Sequence, residues 1–88
     1  METAKEKIRF KRYTLSELSA GDRFYFYNDR RKKVFQLDRL KPFETVIQKG
    51  FRIRYANCYP SGAEYVVTAE RHKADRLVIF LRNINDLP

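Results

Sequence analysis

The sequence has few residues that could build a metal site or a disulfide, since its 88 residues include one cysteine, Cys58, and one histidine, His72. A single cysteine forms no internal disulfide, and these two side chains fall short of the four ligands of a structural zinc site. We therefore expect no metal, no cofactor and a thiol that stays reduced. Cys58 has no histidine neighbour in sequence, which favours a buried structural thiol over a nucleophile.

Recognisable catalytic motifs are missing as well. The sequence contains no Walker loop, nucleophile elbow, zinc-protease helix or paired Cys-x-x-Cys. Glu44, Glu64 and Glu70 are scattered along the chain and form no recognisable acid–base pair. His72 is surrounded in sequence by charged residues, where we expect a solvated side chain rather than a general base. We therefore expect a protein that is not an enzyme.

Long apolar stretches are also missing. The longest continuous apolar run, Leu77 to Leu81, is far shorter than a membrane span. The N-terminal segment carries charged residues in place of the apolar core of a signal peptide. These two absences favour a cytoplasmic protein with no membrane contact.

Acidic residues are outnumbered, so the chain has an excess of positive charge. It contains 19 lysines and arginines against 11 aspartates and glutamates, which gives a formal net charge of +8 and a pI near 9.9. This excess favours an anionic partner, either nucleic acid or an acidic protein, although charge alone specifies no fold.

The sequence does contain a repeated alternation of apolar and polar residues, which is the pattern of half-buried strands. Thr14 and Glu17 form a capping-box pattern, but Gly21 follows so closely that only one helical turn fits. Lys49-Gly50 predicts a tight turn between two strands. The predicted strand segments are 8–13, 23–27, 33–40, 43–48, 51–58, 63–69 and 77–81.

Six or seven short strands with at most one or two helical turns predict an all-β fold. A small barrel of the SH3-like or OB-like type fits, because closure removes the open edges of a small sheet. Residues 1–7 are predicted to form a flexible basic tail, and residues 8–88 a single domain. The segment 77–81 is predicted to be covered on both faces, and 70–76 to be a polar loop. The predicted core residues are Phe24, Phe26, Phe35, Leu37, Phe51, Ile53, Ile79 and Leu81.

The same alternation predicts a surface of arginines and tyrosines. If Phe24 and Phe26 face inward, Arg23, Tyr25 and Tyr27 face outward together. If Phe51 and Ile53 face inward, Arg52 and Arg54 face outward. Exposed rings beside guanidinium groups suit single-stranded nucleic acid, whose bases stack on the rings and whose phosphates meet the cations. Each tyrosine taken alone is also consistent with a half-buried strand residue.

The run Arg30-Arg31-Lys32-Lys33 falls at a predicted hairpin tip and is the densest positive segment. It predicts either a solvated turn or a set of phosphate contacts that read no base sequence. Together with the arginine and tyrosine face, it favours a protein that binds single-stranded DNA or RNA in preference to duplex. The alternative is a protein–protein interaction module that uses the same face, because tyrosine and arginine are enriched at interface hot spots.

Overall fold

The computed structural model describes residues 7–64 and 66–86, and within them the chain is almost entirely β-structure. Seven strands form one curled antiparallel sheet, a half-barrel, and the only helical element described is a 3₁₀ turn at Leu15–Glu17. The all-β class predicted from the sequence is confirmed. The predicted flexible tail lies outside the described residues except for Lys7. The strands are β1 (Arg12–Thr14), β2 (Asp22–Phe26), β3 (Phe35–Leu37), β4 (Phe43–Gln48), β5 (Phe51–Pro60), β6 (Glu70–Lys73) and β7 (Leu77–Asn83).

The sheet is organised around β5. The strand order of the sheet is β1-β7-β2-β3-β5-β4, and β6, which lies outside this order, also pairs with β5, on the edge opposite to β3 and β4. One edge of β5 carries β3 and then β4, with the chain leaving the sheet at 38–42 between them. Asn57 holds this excursion in place, because its backbone N–H donates to Pro42 O and its side-chain amide donates to Lys41 O.

Two backbone hydrogen bonds join the 3₁₀ turn to the turn between β6 and β7, and in this way connect the two ends of the curled sheet. The N–H of Leu15 donates to Arg76 O at 2.9 Å, and the N–H of Ser16 donates to Ala74 O at 2.8 Å. The predicted capping pattern is present, since the backbone N–H of Thr14 donates to Oε1 of Glu17 at 2.8 Å. The 3₁₀ turn therefore spans the gap between β1 and β6.

The core lies on the concave side of the sheet, as expected for alternating strands. Phe24, Phe26, Phe35 and Leu37 are buried, which confirms the predicted inward face of β2 and β3. The Phe26 ring packs against Phe24 and Phe35, with ring centroids 5.5 and 5.3 Å away. The remaining buried apolar residues of this cluster are Leu15, Leu18, Ala56, Cys58, Val78 and Phe80.

The predicted inward faces of β5 and β7 are wrong. Phe51 is 71% exposed, and Ile53, Ile79 and Leu81 are only partly buried. In β5 the core is reached by Ala56 and Cys58, because the first half of the strand extends past the core in a hairpin with β4. In β7 the buried residues are Val78 and Phe80, and Leu77 is 41% exposed, so this strand is not covered on both faces.

The start of the predicted first strand and the position of the predicted sixth strand are also wrong. The first strand begins at Arg12 rather than Ile8, because Phe10 lies in a turn with φ 67°, and Ile8 and Phe10 are each 61% exposed. The sixth strand is formed by Glu70–Lys73, which the sequence predicts to be a loop. The predicted strand 63–69 consists of turns and irregular backbone where it is described.

Cys58 is fully buried, and its burial raises the pKa of the thiol from its ordinary 9.0 to about 12, with Glu70 nearby acting in the same direction. The thiol is therefore protonated at neutral pH, and we expect slow reaction with a thiol reagent in the native state and fast reaction after denaturation. Because the folded pKa lies above the unfolded one, this group contributes stability below pH 9 that is lost as the pH rises towards 12. Rapid labelling of the native protein at neutral pH would contradict this assignment.

Candidate functional site

The convex face of β1, β7 and β2 collects basic and tyrosyl side chains. Arg12 lies opposite Ile79, and Ile79 lies opposite Tyr25 on the next strand, so these residues form one row across the sheet. The alternation that buries Phe24 and Phe26 turns Arg23, Tyr25 and Tyr27 to this side. We call the following residues the Arg/Tyr face: Arg12, Arg23, Tyr25, Tyr27, Lys32 and Arg82.

The two tyrosine rings of this face each have a cation beside them. Tyr27 is 53% exposed, and Cζ of Arg12 lies 5.1 Å from its ring centroid. Tyr25 is half-buried, and Nζ of Lys32 lies 5.8 Å from its ring centroid. These distances fall within the range of cation–π contacts. Tyr27 thus presents an exposed ring next to a guanidinium group, an arrangement that can stack on a base while the cation meets a phosphate.

Arg23 and Arg82 lie opposite each other in the register of β2 and β7. Arg23 is half-buried: its Nε donates to Oε1 of Gln36 at 3.3 Å, and its Nη2 lies 4.0 Å from Oε1 of Glu64. Arg82 is exposed, and none of the described carboxylates lies within ion-pair distance of it or of Arg12. These two guanidinium groups are therefore available to an anionic ligand.

The basic run lies in the loop between β2 and β3, where the sequence predicted a hairpin tip. All four of its side chains, Arg30, Arg31, Lys32 and Lys33, are exposed. The carboxylate of Asp29 accepts the backbone N–H groups of Arg31 and Lys33, each at 3.0 Å, which orders the loop. Lys32 reaches Tyr25, whereas Nζ of Lys33 lies 5.3 Å from the ring centroid of Phe35. The basic loop is thus joined to the Arg/Tyr face through Lys32.

Arg52 and Arg54 belong to a different surface. They are in phase with Ala56 and Cys58 along β5, so they lie on the side of the sheet that carries the core, opposite to the Arg/Tyr face. Cζ of Arg54 lies 4.1 Å from the ring centroid of Phe43. Both arginines line a cleft of about 450 Å³, whose other lining residues are Ser16, Ile53, Lys73, Ala74 and Asp75. The structure therefore divides the predicted site residues between two surfaces.

Sequence reasoning missed Arg12 and Arg82, two exposed members of the Arg/Tyr face. The sequence predicts a first strand that starts at Ile8 and contains Arg12, and a last strand that ends at Leu81, one residue before Arg82. Both join the face through pairing of β1 and β2 with β7, which brings together residues far apart in sequence. β7 continues to Asn83, past the apolar run, and no apolar pattern in the sequence marks this continuation, which carries Arg82.

His72 is held in a packed position rather than in the solvated loop predicted for it. It lies on β6, its side chain is 20% exposed, and its ring centroid is 4.6 Å from that of Phe26. Nη1 of Arg76 lies 2.9 Å from Nδ1, and Oε1 of Glu70 lies 3.1 Å from Nε2. Because an arginine can only donate, Nδ1 accepts, and in the neutral ring Nε2–H donates to Glu70. These contacts fix the ring as part of the packing around Phe26.

No cluster of three or more histidine, cysteine, aspartate or glutamate side chains that could hold a metal ion occurs among residues 7–64 and 66–86. Over the same residues, no helix has the length and apolarity needed to cross a membrane. Comparison with protein-family models, with curated proteins and with solved structures finds no match to this chain. A functional assignment therefore depends on the surfaces described above.

Proposed function

We propose that this protein binds single-stranded nucleic acid through the Arg/Tyr face. The observation that carries the proposal is the exposed ring of Tyr27 with the Arg12 guanidinium group beside it, on a convex sheet face that also bears Arg82 and Lys32. The net charge of +8 favours an anionic ligand at long range.

Two physical contributions would act at this face. Stacking of a base on an exposed aromatic ring contributes about 1–3 kcal/mol and tolerates any base. Lysine and arginine side chains that replace counterions on phosphates add affinity that falls steeply with salt concentration. A single strand supplies both, because its unstacked bases can reach the Tyr27 ring, whereas the bases of a duplex are stacked on one another.

The test is the binding of fluorescent single-stranded and duplex oligonucleotides of mixed sequence across a salt series. Wild-type protein should bind the single strand more tightly, with affinity that falls linearly in log–log form as salt rises. Failure to bind any oligonucleotide at low salt would overturn the proposal. Loss of an acidic protein partner on substitution of the Arg/Tyr face, with no oligonucleotide bound by wild type, would instead favour the interaction module.

We expect Arg82→Ala to weaken binding to every oligonucleotide and to reduce the salt slope by about one unit, since one phosphate contact is lost. The matched control is Arg39→Ala, which removes the same charge from an exposed position outside the Arg/Tyr face and should leave the slope nearly unchanged. Arg52→Ala tests the second surface: an equal loss there would mean that the cleft also contacts the strand. If Arg39→Ala and Arg82→Ala had equal effects, binding would depend on total charge rather than on this face.

Tyr27→Ala should behave differently from the arginine variants. We expect affinity to fall by about tenfold, the equivalent of roughly 1.4 kcal/mol, with little change in the salt slope, because a ring releases no counterions. Tyr27→Phe should be nearly neutral, because stacking uses the ring and not the hydroxyl group. Circular dichroism of each variant shows whether the fold is kept. A folded Tyr27→Ala protein with wild-type affinity would exclude the stacking role.

A further inference from the structure

Three strands of the described sheet have an edge with no partner strand, and they differ in how that edge is protected. Natural proteins protect open edges with short strands, charged side chains or prolines. β1 is only three residues long, and every residue of β6 (Glu70–Lys73) has an ionisable side chain. β4 (Phe43–Gln48) has six residues and a single charge, Glu44. Its open edge therefore lacks the usual protection.

The register shows which backbone groups of β4 point out of the sheet. The C=O of Arg54 accepts the N–H of Ala74 at 3.0 Å, so the backbone polar groups of Arg54 face away from β4. Two residues directly opposite each other in an antiparallel pair turn their backbone N–H and C=O groups either both towards the other strand or both away from it. Thr45, the partner of Arg54, therefore presents its N–H and C=O to the open edge. By the two-residue repeat, Phe43 and Ile47 do the same.

We propose that two copies of this chain pair through β4 in antiparallel orientation, with Thr45 opposite Thr45 of the partner subunit. This register is two-fold symmetric, as a homodimer contact requires. It pairs all three edge-facing residues, because Phe43 then lies opposite Ile47 of the partner subunit and Ile47 opposite the partner's Phe43. Ile47 is 71% exposed in the single chain, and the pairing places an aromatic ring against it on the same side of the sheet.

The charge distribution permits this contact despite the positive charge of each chain. The arginines of β5 lie one strand behind β4, so in the dimer the two β5 strands are three strand spacings apart, about 14 Å. The Debye length at physiological ionic strength is about 8 Å, so their repulsion is largely screened. Glu44 is balanced within its own chain, where Oε1 lies 3.7 Å from Nη1 of Arg71. The β4 residues paired in the seam, 43–47, therefore have neutral or neutralised side chains, although the Arg54 guanidinium lies beside the Phe43 ring. Lys41 and Lys49 lie just outside the paired residues, at the two ends of the seam.

Sedimentation equilibrium of the full chain at physiological salt, from micromolar to millimolar concentration, tests the proposal. As the concentration rises, the apparent mass of the wild-type protein should approach twice the chain mass of 10.6 kDa. Ile47→Lys should raise the dimer dissociation constant by about tenfold or more, because the contact between Ile47 and the partner's Phe43 occurs twice in a symmetric dimer and both copies are lost. Phe51→Lys is a matched control, since Phe51 is also 71% exposed on the same hairpin but lies on β5, away from the open edge. It should leave the dissociation constant nearly unchanged.

Amide hydrogen exchange provides a second measurement that needs no variant. The N–H groups of Thr45 and Ile47 should exchange more slowly as protein concentration rises, while the Arg12 amide at the β1 edge should not change. A wild-type chain that stays monomeric at millimolar concentration would overturn the proposal. So would equal effects of Ile47→Lys and Phe51→Lys, or protection of Thr45 only after an extended acidic peptide is added, which would assign the edge to another partner.

Discussion

Phe26→Ala is expected to lower the free energy of unfolding by about 3–5 kcal/mol, a large part of the stability of so small a domain. The Phe26 ring contacts Phe24, Phe35 and His72, and Cζ of Arg76 lies 4.0 Å from its centroid. Removing the ring leaves a cavity on which four side chains converge, and the strands and the β6–β7 turn that carry them cannot collapse fully into it. Urea unfolding followed by circular dichroism measures the loss.

Phe51→Ala is the matched control for this prediction. Both residues are strand phenylalanines, but Phe51 is 71% exposed and Phe26 only 5%. We expect the exposed substitution to change stability by less than about 0.5 kcal/mol. Equal costs for the two substitutions would show that the first half of β5 is packed against something, and that the face assigned to the core is wrong.

Asp22→Ala is expected to cost about 3–5 kcal/mol, because Asp22 is a buried carboxylate whose removal leaves its partners without an acceptor. Its Oδ2 lies 3.1 Å from Nζ of Lys7 and accepts the N–H of Ser19 at 2.7 Å. Its Oδ1 accepts Nδ2 of Asn83 at 2.8 Å. These bonds tie the start of β2 to the end of β7, so thermal unfolding of the variant should begin at a much lower temperature.

Glu44→Ala provides the comparison for Asp22→Ala, since it also removes one carboxylate from an ion pair on a strand. The Glu44–Arg71 pair is partly exposed, with side-chain exposures of 23% and 52%, so its loss should cost at most about 1 kcal/mol. Asp22→Asn keeps the shape and an acceptor oxygen and should fall between the two. If Asp22→Ala left the free energy of unfolding unchanged, water would have to replace the carboxylate without any loss of stability.

The elements that could be predicted from the sequence are those whose alternation has an unambiguous phase. In β2, Phe24 and Phe26 alternate with Arg23 and Tyr25, so only one face can be apolar. The Lys49-Gly50 turn is also confirmed, because both residues have positive φ angles, 49° and 81°, as a two-residue hairpin turn of this kind requires.

Other elements could not be predicted because tertiary pairing decides them. All residues from Leu77 to Leu81 are apolar, so the sequence does not indicate which of them face the core. β6 consists of Glu70–Lys73 and has no apolar residue to mark it; it is a strand because its backbone pairs with β5. Since main-chain bonding is independent of side-chain type, no hydrophobic pattern could have shown it.

The candidate site was predictable to the same extent. Tyr25 and Tyr27 follow from the phase of β2, and the exposed basic loop follows from its composition. Arg12 and Arg82 join them only because β7 pairs with both β1 and β2, a register that depends on residues from opposite ends of the chain. Arg52 and Arg54 lie on the opposite side because they are in phase with the buried Ala56 and Cys58, and they are exposed because the β4–β5 hairpin extends past the core.

The pairing of β1 with β7 also has a kinetic consequence. The β4–β5 hairpin is local and, with its two-residue turn, can form in about 1–10 μs. The contact of Arg12 with Ile79 must instead close a loop that contains nearly the whole domain. A topology dominated by such distant contacts folds in milliseconds to seconds. We therefore expect the Arg/Tyr face, which needs β7 paired with both β1 and β2, to form after the β4–β5 hairpin, once the C-terminal strand has joined the sheet.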